Sequence, residues 1–385
     1  MRLAIAIGGT FTDLVLETGN DLLTKKVLTS ISQPELAVIE GVSELLEENN
    51  IKASDIKMII HGTTLATNAV IERKGAKTCF ITTSGFRDVL DIGYESRCEQ
   101  YDILIDKTMS LVPRKHRYVI DERTDVNGSI ITSIDKDQFY NLITKIKNEN
   151  FESIAVGFLH SYANPENEKI LKAFLTNELP DVEVSVSSDV CPEIREYERF
   201  TTTVVNAYIK PLMSNYLKKL DQKLLNSGFN CPLLLMTSGG TLTNISSACN
   251  NPVRLVESGP AGGAILATSI AEDMNLNKVI SFDMGGTTAK ITIIENKKAI
   301  KAREFEVDRK ARFKKGSGYP LRIPVIEMVE IGAGGGSIAR VNKLEQIITG
   351  PDSAGSFPGP ACYSNGGSMP TITDADLVIG KIDPN

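Results

Sequence analysis

The sequence predicts an α/β protein of two or more domains. Short apolar runs alternate with helix-length segments almost throughout, the signature of strands covered by helices. At 385 residues the chain exceeds what one ordinary core supports. A pattern of apolar strand, glycine pair, threonine and second apolar strand occurs twice, at Ile7–Leu16 and Met284–Ile293.

The elements follow in order. Leu3–Ile7 and Leu14–Glu17 read as the arms of a hairpin around Gly8-Gly9. Pro34–Asn49 has helical spacing in Ala37, Val38, Ile39, Val42, Leu45 and Leu46. Met58–Ile60 is a strand running into His61-Gly62-Thr63-Thr64, followed by a helix to Lys74 that Gly75 stops. Thr78–Thr82 and Ile154–Phe158 are further strands, and Asn167–Leu179 is a helix ended by Pro180. The longest helical pattern runs from Tyr197 to about Asn226, interrupted at Pro211. Its start, Glu193–Arg199, reads as a solvated charged turn, and His116, among Arg114, Lys115 and Arg117, as solvent-facing. Leu233–Met236 is a strand and Gly262–Glu272 a helix, and Val279–Phe282 and Ile291–Ile294 flank the second glycine pair. From Gly316–Pro324 onward, glycine and proline dominate, which indicates functional loops or an irregular cover. Residues 1–275 form a first region with inserted α/β segments, and residues 276–385 begin a second domain.

Composition excludes several roles. Net charge is −6 and basic runs are short, so nucleic acid is not an expected partner. No apolar run approaches the roughly 18 residues of a membrane span, and Leu3–Ile7 is too short for a signal peptide. The six cysteines are scattered without a C-x-x-C pair, as in a cytoplasmic protein with reduced thiols.

One Gly-Gly-Thr turn is an ordinary hairpin; two in separate halves suggest a shared task. A phosphate chain needs backbone N–H groups turned toward it and no side chain in the way, which glycine pairs provide. Gly8, Gly9, Thr10 and Thr12 in one copy, and Gly285, Gly286, Thr287 and Thr288 in the other, are expected to grip the phosphates of ATP from two sides. Neither copy is a P-loop or a dinucleotide fingerprint, because a strand rather than a helix follows. Magnesium would accompany ATP and favours one or two carboxylates plus water. Asp283 precedes the second turn and Asp13 closes the first, which makes them the metal and catalytic candidates. Ala6 and Lys290 are their counterparts in the repeat; Lys290 is either a solvated strand end or a cation facing phosphate. Gly332, Gly334, Gly335, Gly336 and Ser337 form a third cluster, expected to be approached closely by the adenosine moiety. Glu257–Gly263 opens a helix whose N-terminus either faces an anion or packs tightly. His61, at a strand end, is either catalytic or structural.

These residues resemble the hydantoinase A/5-oxoprolinase family, which includes the related subunit of acetone carboxylase. The matching stretches are Gly8–Asp13, His61–Ala69, Gly85–Leu90, Phe158–Glu168, Glu257–Gly263, Asp283–Lys290, Gly332–Ala339 and Pro358–Tyr363, in order along the chain. The resemblance implies the actin-like ATPase fold, with ATP between two related domains, and an N-terminal family region over about 1–180. It implies ATP-dependent opening of a cyclic amide, such as a hydantoin or 5-oxoproline, through phosphorylation of the amide oxygen. It also implies a hydantoinase B-type partner subunit, hence a hetero-oligomer. The family usually carries an aspartate where this chain has Ala6, and its members continue past Asn385, so the second domain is expected to be incomplete. An ATP-dependent carboxylase subunit shares these motifs, and a nucleotide-binding protein with little turnover is the reading from another class.

Overall fold

Leu3, Ile5 and Ile7 alternate with Arg2, Ala4 and Ala6, and a period of two makes this segment a strand with one buried face. It is β1 (Arg2–Ile7) in a computed structural model of the chain that describes residues 1–8, 11–19, 21–30, 33–95, 99–104, 108–135, 137–286, 288–309, 315–355 and 357–384. β2 (Phe11–Thr18) and β3 (Asp21–Leu28) return antiparallel, α1 (Pro34–Glu48) covers them, and β4 (Met58–Thr63) and α2 (Leu65–Ile71) follow. An inserted unit comprises β5 (Thr78–Thr83), α3 (Val89–Ile92), β6 (Arg117–Ile120), the small pair β7 (Arg123–Thr124) and β8 (Ile130–Thr132), α4 (Asp137–Glu149), β9 (Ser153–Gly157), α5 (Glu166–Glu178), β10 (Glu183–Val186) and α6 (Ser187–Val190). The chain then runs through α7 (Glu196–Asn226), β11 (Leu233–Met236), β12 (Leu242–Asn244), α8 (Ile245–Asn250), α9 (Ser258–Asp273), β13 (Lys278–Met284) and β14 (Ala289–Glu295). Short strands and α10 (Ile372–Val378) complete the described structure.

The first sheet has the order β12-β11-β4-β1-β2-β3, with β1, β4 and β11 parallel. The inserted sheet, β10-β9-β5-β6, is parallel throughout. The third contains β13 and β14, and β14 also pairs with the strand Val329–Ile331. Leu3, Ile5, Leu14 and Leu16 pack with Val38, Val42 and Leu45 of α1 and with Ile209, Met213 and Leu217 of α7 in one core. Phe80, Ala155, Phe200 and Val204 form a smaller core between α7 and the inserted sheet. The N-terminal part of α7 is therefore buried nearly all round, as a helix between two sheets must be.

That placement explains three departures from the expected pattern. α7 continues through Pro211 without a break. The missing N–H costs about 3 kcal/mol in a helix interior, and packing on both sides offsets it. Glu198 and Arg199 are buried rather than solvated, because the helix start is clamped between the sheets. Arg199 donates to the carbonyls of Phe158 at 3.0 Å and Glu193 at 2.8 Å, and to Ser187 Oγ at 3.2 Å. His116 is not solvent-facing: it packs edge-on to Phe151 at 5.0 Å, and burial lowers its pKa.

Gly157 ends β9 where α7 crosses it. A Cβ there would stand 2.4 Å from a ring carbon of Phe200 and 3.1 Å from Phe80. Gly157→Ala is therefore expected to destabilise the protein by about 1–3 kcal/mol through overpacking, read as a lower denaturant midpoint at unchanged slope.

Candidate functional site

The two Gly-Gly-Thr motifs fold identically where they are described. In the first, Ile7 pairs with Thr12 and Ala6 with Asp13. In the second, Met284 pairs with Ala289 and Asp283 with Lys290. Gly8 N–H donates to the Phe11 carbonyl at 2.9 Å, and Gly285 N–H donates to the Thr288 carbonyl at 2.9 Å. Each turn thus spends its first glycine amide on its own closure. Gly9, Thr10 and Thr287 lie outside the described residues.

Two chains of contact tie these turns together. On one side, Thr64 N–H donates to the Ile7 carbonyl at 3.2 Å, and Ser258 Oγ donates to the Thr63 carbonyl at 3.0 Å. Glu257 N–H donates to Thr67 Oγ1 at 2.9 Å, while its carboxylate pairs with Lys290 of the second hairpin. On the other side, the Gly335 and Gly336 amides donate to the carbonyls of Gly285 and Gly286 at 2.9 and 2.7 Å. Thr373 N–H donates to the Gly335 carbonyl at 2.8 Å, and Asp374 takes the Cys362 amide at 2.8 Å. Tyr363 meets Phe11 of the first hairpin edge-on, ring centroids 6.4 Å apart.

Asp283 is exposed, and Asp13 is half-exposed and paired with Lys26 on the neighbouring strand. A Cβ on Gly263 would stand 3.6 Å from Asp283 Oδ2, an ordinary contact distance, so α9 passes beside this carboxylate. Asp13 and Asp283 are carboxylates on separate hairpins, oxygen donors of the kind magnesium favours. Among the described residues no three His, Cys, Asp or Glu side chains converge as a complete protein-only metal cage.

Several residues do other work than the sequence assigns. His61 is fully buried on the core side of β4, with Nδ1 3.1 Å from the Ile5 carbonyl and Nε2 2.7 Å from Tyr216 Oη. Its place in the middle of a parallel strand, rather than beyond the strand end, removes it from the turns. Thr12 is also buried; its hydroxyl meets Thr29 Oγ1 at 3.0 Å, and Thr29 donates to the Gly8 carbonyl at 3.1 Å. It braces the turn from behind instead of donating to a ligand. Ser337 is buried and accepts the Gly334 amide at 3.0 Å, which shapes the glycine loop. The close approach made by Gly335 and Gly336 is to the second turn itself, and Lys290 is neither solvated nor alone but held by Glu257.

Thr67, Ser258 and Tyr363 lie within stretches the sequence singled out but had no role of their own there, and Asp374 was left out. Asp374 had a legible signal: Thr371-Ile372-Thr373-Asp374 is a capping box, and the structure forms it at the start of α10.

The family profile Hydantoinase/oxoprolinase N-terminal region matches residues 2–179, and Hydantoinase/oxoprolinase matches residues 199–385. The chain belongs to the hydantoinase/oxoprolinase family. An uncharacterised protein of Methanocaldococcus jannaschii is 42% identical over 99% of this chain and 57% of its own length. Caprolactamase subunit alpha of Pseudomonas jessenii is 34% identical over 99% of this chain and 54% of its own length. The crystal structure of ATP-dependent caprolactamase from Pseudomonas jessenii matches all of this chain with a TM-score of 0.82, 32% identity and 55% of its own chain. Nucleotide-free acetone carboxylase matches with a TM-score of 0.83, 25% identity and 55% of its own chain. The chain spans about half the length of these relatives. No helix among the described residues is long and apolar enough to cross a membrane. Of the family-like stretches, those at Gly8, His61, Glu257, Asp283, Gly332 and Pro358 meet in the two chains of contact; those at Gly85 and Phe158 lie on the inserted unit.

His61 gives the site's support a pH dependence. Burial holds its pKa down at about 4 in the folded state, against about 6.5 unfolded. Between those values the unfolded chain binds the extra proton, so stability is complete above pH 6.5 and falls as pH drops toward 4, by about 3 kcal/mol. Urea unfolding at a series of pH values is expected to show this fall in the wild type and a shallower one in His61→Gln.

Proposed function

We propose that this chain is the nucleotide-binding part of an ATP-dependent cyclic amide hydrolase, with ATP held between the two Gly-Gly-Thr turns. The observation that carries the reading is the shared register and closure of the two hairpins, tied together by the segments that match the family. The first hairpin opens a sheet of order β3-β2-β1-β4-β11, and the second belongs to a separate sheet, which supports two related halves of the actin-like ATPase kind. Asp283 and Asp13 are the proposed metal-side carboxylates. The glycine loop at 332–336 lies against the second turn, where the base and ribose of ATP would extend.

The chemistry follows from the electrophile. An unstrained lactam has a poor leaving group on its carbonyl carbon, and phosphorylating the amide oxygen makes a good one. Bound magnesium would supply charge neutralisation at the phosphates. The chain's own part is positioning: turn amides orient phosphate oxygens, and Asp283 and Asp13 orient the metal's water shell. Similarity to caprolactamase favours a lactam or a related ring, and a B-type subunit is the proposed partner for hydrolysis. The carboxylase reading rests on the acetone carboxylase structure and on the acetophenone carboxylase gamma subunit of Aromatoleum aromaticum, 27% identical over 99% of this chain and 53% of its own length.

Three measurements test this. Release of ADP, assayed with the partner subunit, should be stimulated by 5-oxoproline, hydantoin or caprolactam and not by a small ketone with bicarbonate; the reverse result assigns the carboxylase reaction. Asp283→Asn should cut metal-dependent turnover by about 10-fold or more while leaving the unfolding midpoint in place. Ala6 stands on the rung where the family carries a carboxylate, so Ala6→Asp should raise ATP hydrolysis more than ATP affinity. No gain there would assign the metal-organising role to Asp13.

A further inference from the structure

Glu257 carries a charge and joins the second hairpin to the first half at the start of α9. It adopts a left-handed backbone (φ 64°) immediately before α9, a conformation that disfavours residues with a side chain. Its amide is fastened to Thr67 of α2 and the next residue to Thr63 of β4, so the first half sets its position. Its carboxylate is largely buried and paired with the largely buried Lys290, while Glu330 stands farther off at 3.8 Å. Lys290 lies opposite Asp283, one rung removed from the Met284–Ala289 pair that closes the second turn. Its strongest partner is nevertheless not at the turn but on the far side, in a segment governed by the other half.

We infer that Glu257 is a positioning residue that competes with nucleotide phosphate for Lys290, resting on the ATP reading above. Without nucleotide, the Glu257 carboxylate holds the ammonium and keeps α9 against the second hairpin. When a polyphosphate enters between the turns, it offers Lys290 more negative charge than a single carboxylate. The ammonium then turns to the phosphate, and the tie between the halves through α9 is loosened. Binding therefore carries a built-in cost, the breaking of the Glu257–Lys290 pair, and reports occupancy to the first half through Thr67 and Thr63.

The test is equilibrium binding of Mg·ATP, ADP and adenosine to the folded protein by calorimetry. Glu257→Gln keeps the size and backbone of the residue and removes the competing charge. It should tighten Mg·ATP by about fivefold or more, the usual span of a coupling between linked sites, tighten ADP less, and leave adenosine unchanged. Lys290→Met should weaken Mg·ATP, and the Glu257→Gln/Lys290→Met double variant should match Lys290→Met alone. Weaker or unchanged Mg·ATP binding in Glu257→Gln, or a gain that survives in the double variant, overturns the inference while leaving the ATP reading in place. A gain shared by adenosine overturns it too, because the effect would then be general loosening. If none of the proteins binds nucleotide, the ATP reading and this inference fall together. Should Glu257→Gln fail to fold, Glu257→Asp, whose shorter arm draws the carboxylate back from Lys290, is expected to show a smaller gain of the same order among ligands.

Discussion

The second turn rests on backbone alone, and that contact governs how the rest of the candidate site is arranged. Gly285 and Gly286 give their carbonyls to the amides of Gly335 and Gly336, so strand-like pairing continues across two glycine segments distant in sequence. A Cβ on Gly335 would stand 2.5 Å from Thr373 Oγ1, and one on Gly336 2.8 Å from Ser353 Oγ and 2.9 Å from the Gly286 carbonyl. At Gly336 a side chain would press on the backbone of the second turn itself. The carbonyls of Gly285 and Gly286 are therefore already paired with backbone amides.

Much of this was legible in the sequence. The apolar runs Leu3–Ile7, Leu14–Glu17, Val279–Phe282 and Ile291–Ile294 marked both hairpins, and the repeat predicted their common register to the residue. Helices α1, α5 and α7 followed from their spacing within one or two residues. The extension of β4 to Thr63 was not legible, because His61-Gly62-Thr63 has no apolar alternation; parallel pairing with β1 on one side and β11 on the other makes it a strand. β3 was missed for the same kind of reason: Lys25 and Lys26 interrupt its pattern, and its hydrogen bonds to β2 override them.

The site residues divide along a similar line. Glycines were legible as positions needing close approach, but their partner was not, because sequence cannot distinguish a ligand from another stretch of the same chain. Polar residues were hardest. His61, Thr12 and Ser337 stand beside glycine motifs, and all three turn inward: His61 meets the Ile5 carbonyl, Ser337 accepts the Gly334 amide, and Thr12 meets Thr29 Oγ1, which donates to the Gly8 carbonyl. Whether a side chain next to a turn points to ligand or to core depends on which strand packs behind it. That was decided by Tyr216 and Thr29, 155 and 17 residues away.

The repeat conserves the turn but moves its acid. In the first hairpin the carboxylate is on the second arm, Asp13, opposite an alanine; in the second it is on the first arm, Asp283, opposite a lysine. Two unit charges 4 Å apart interact by about 4 kcal/mol near a protein surface, so shifting a carboxylate across a rung changes the local field substantially. The closure bond from the first glycine is the same in both copies. The shared requirement is therefore the orientation of amides, which does not depend on which arm carries charge, while the charges are set separately in each half. Lys26 neutralises Asp13 within its own sheet, whereas Lys290 is neutralised from α9 rather than from Asp283. Asp283 thus stands opposite a lysine whose ammonium pairs with Glu257, and it stays exposed.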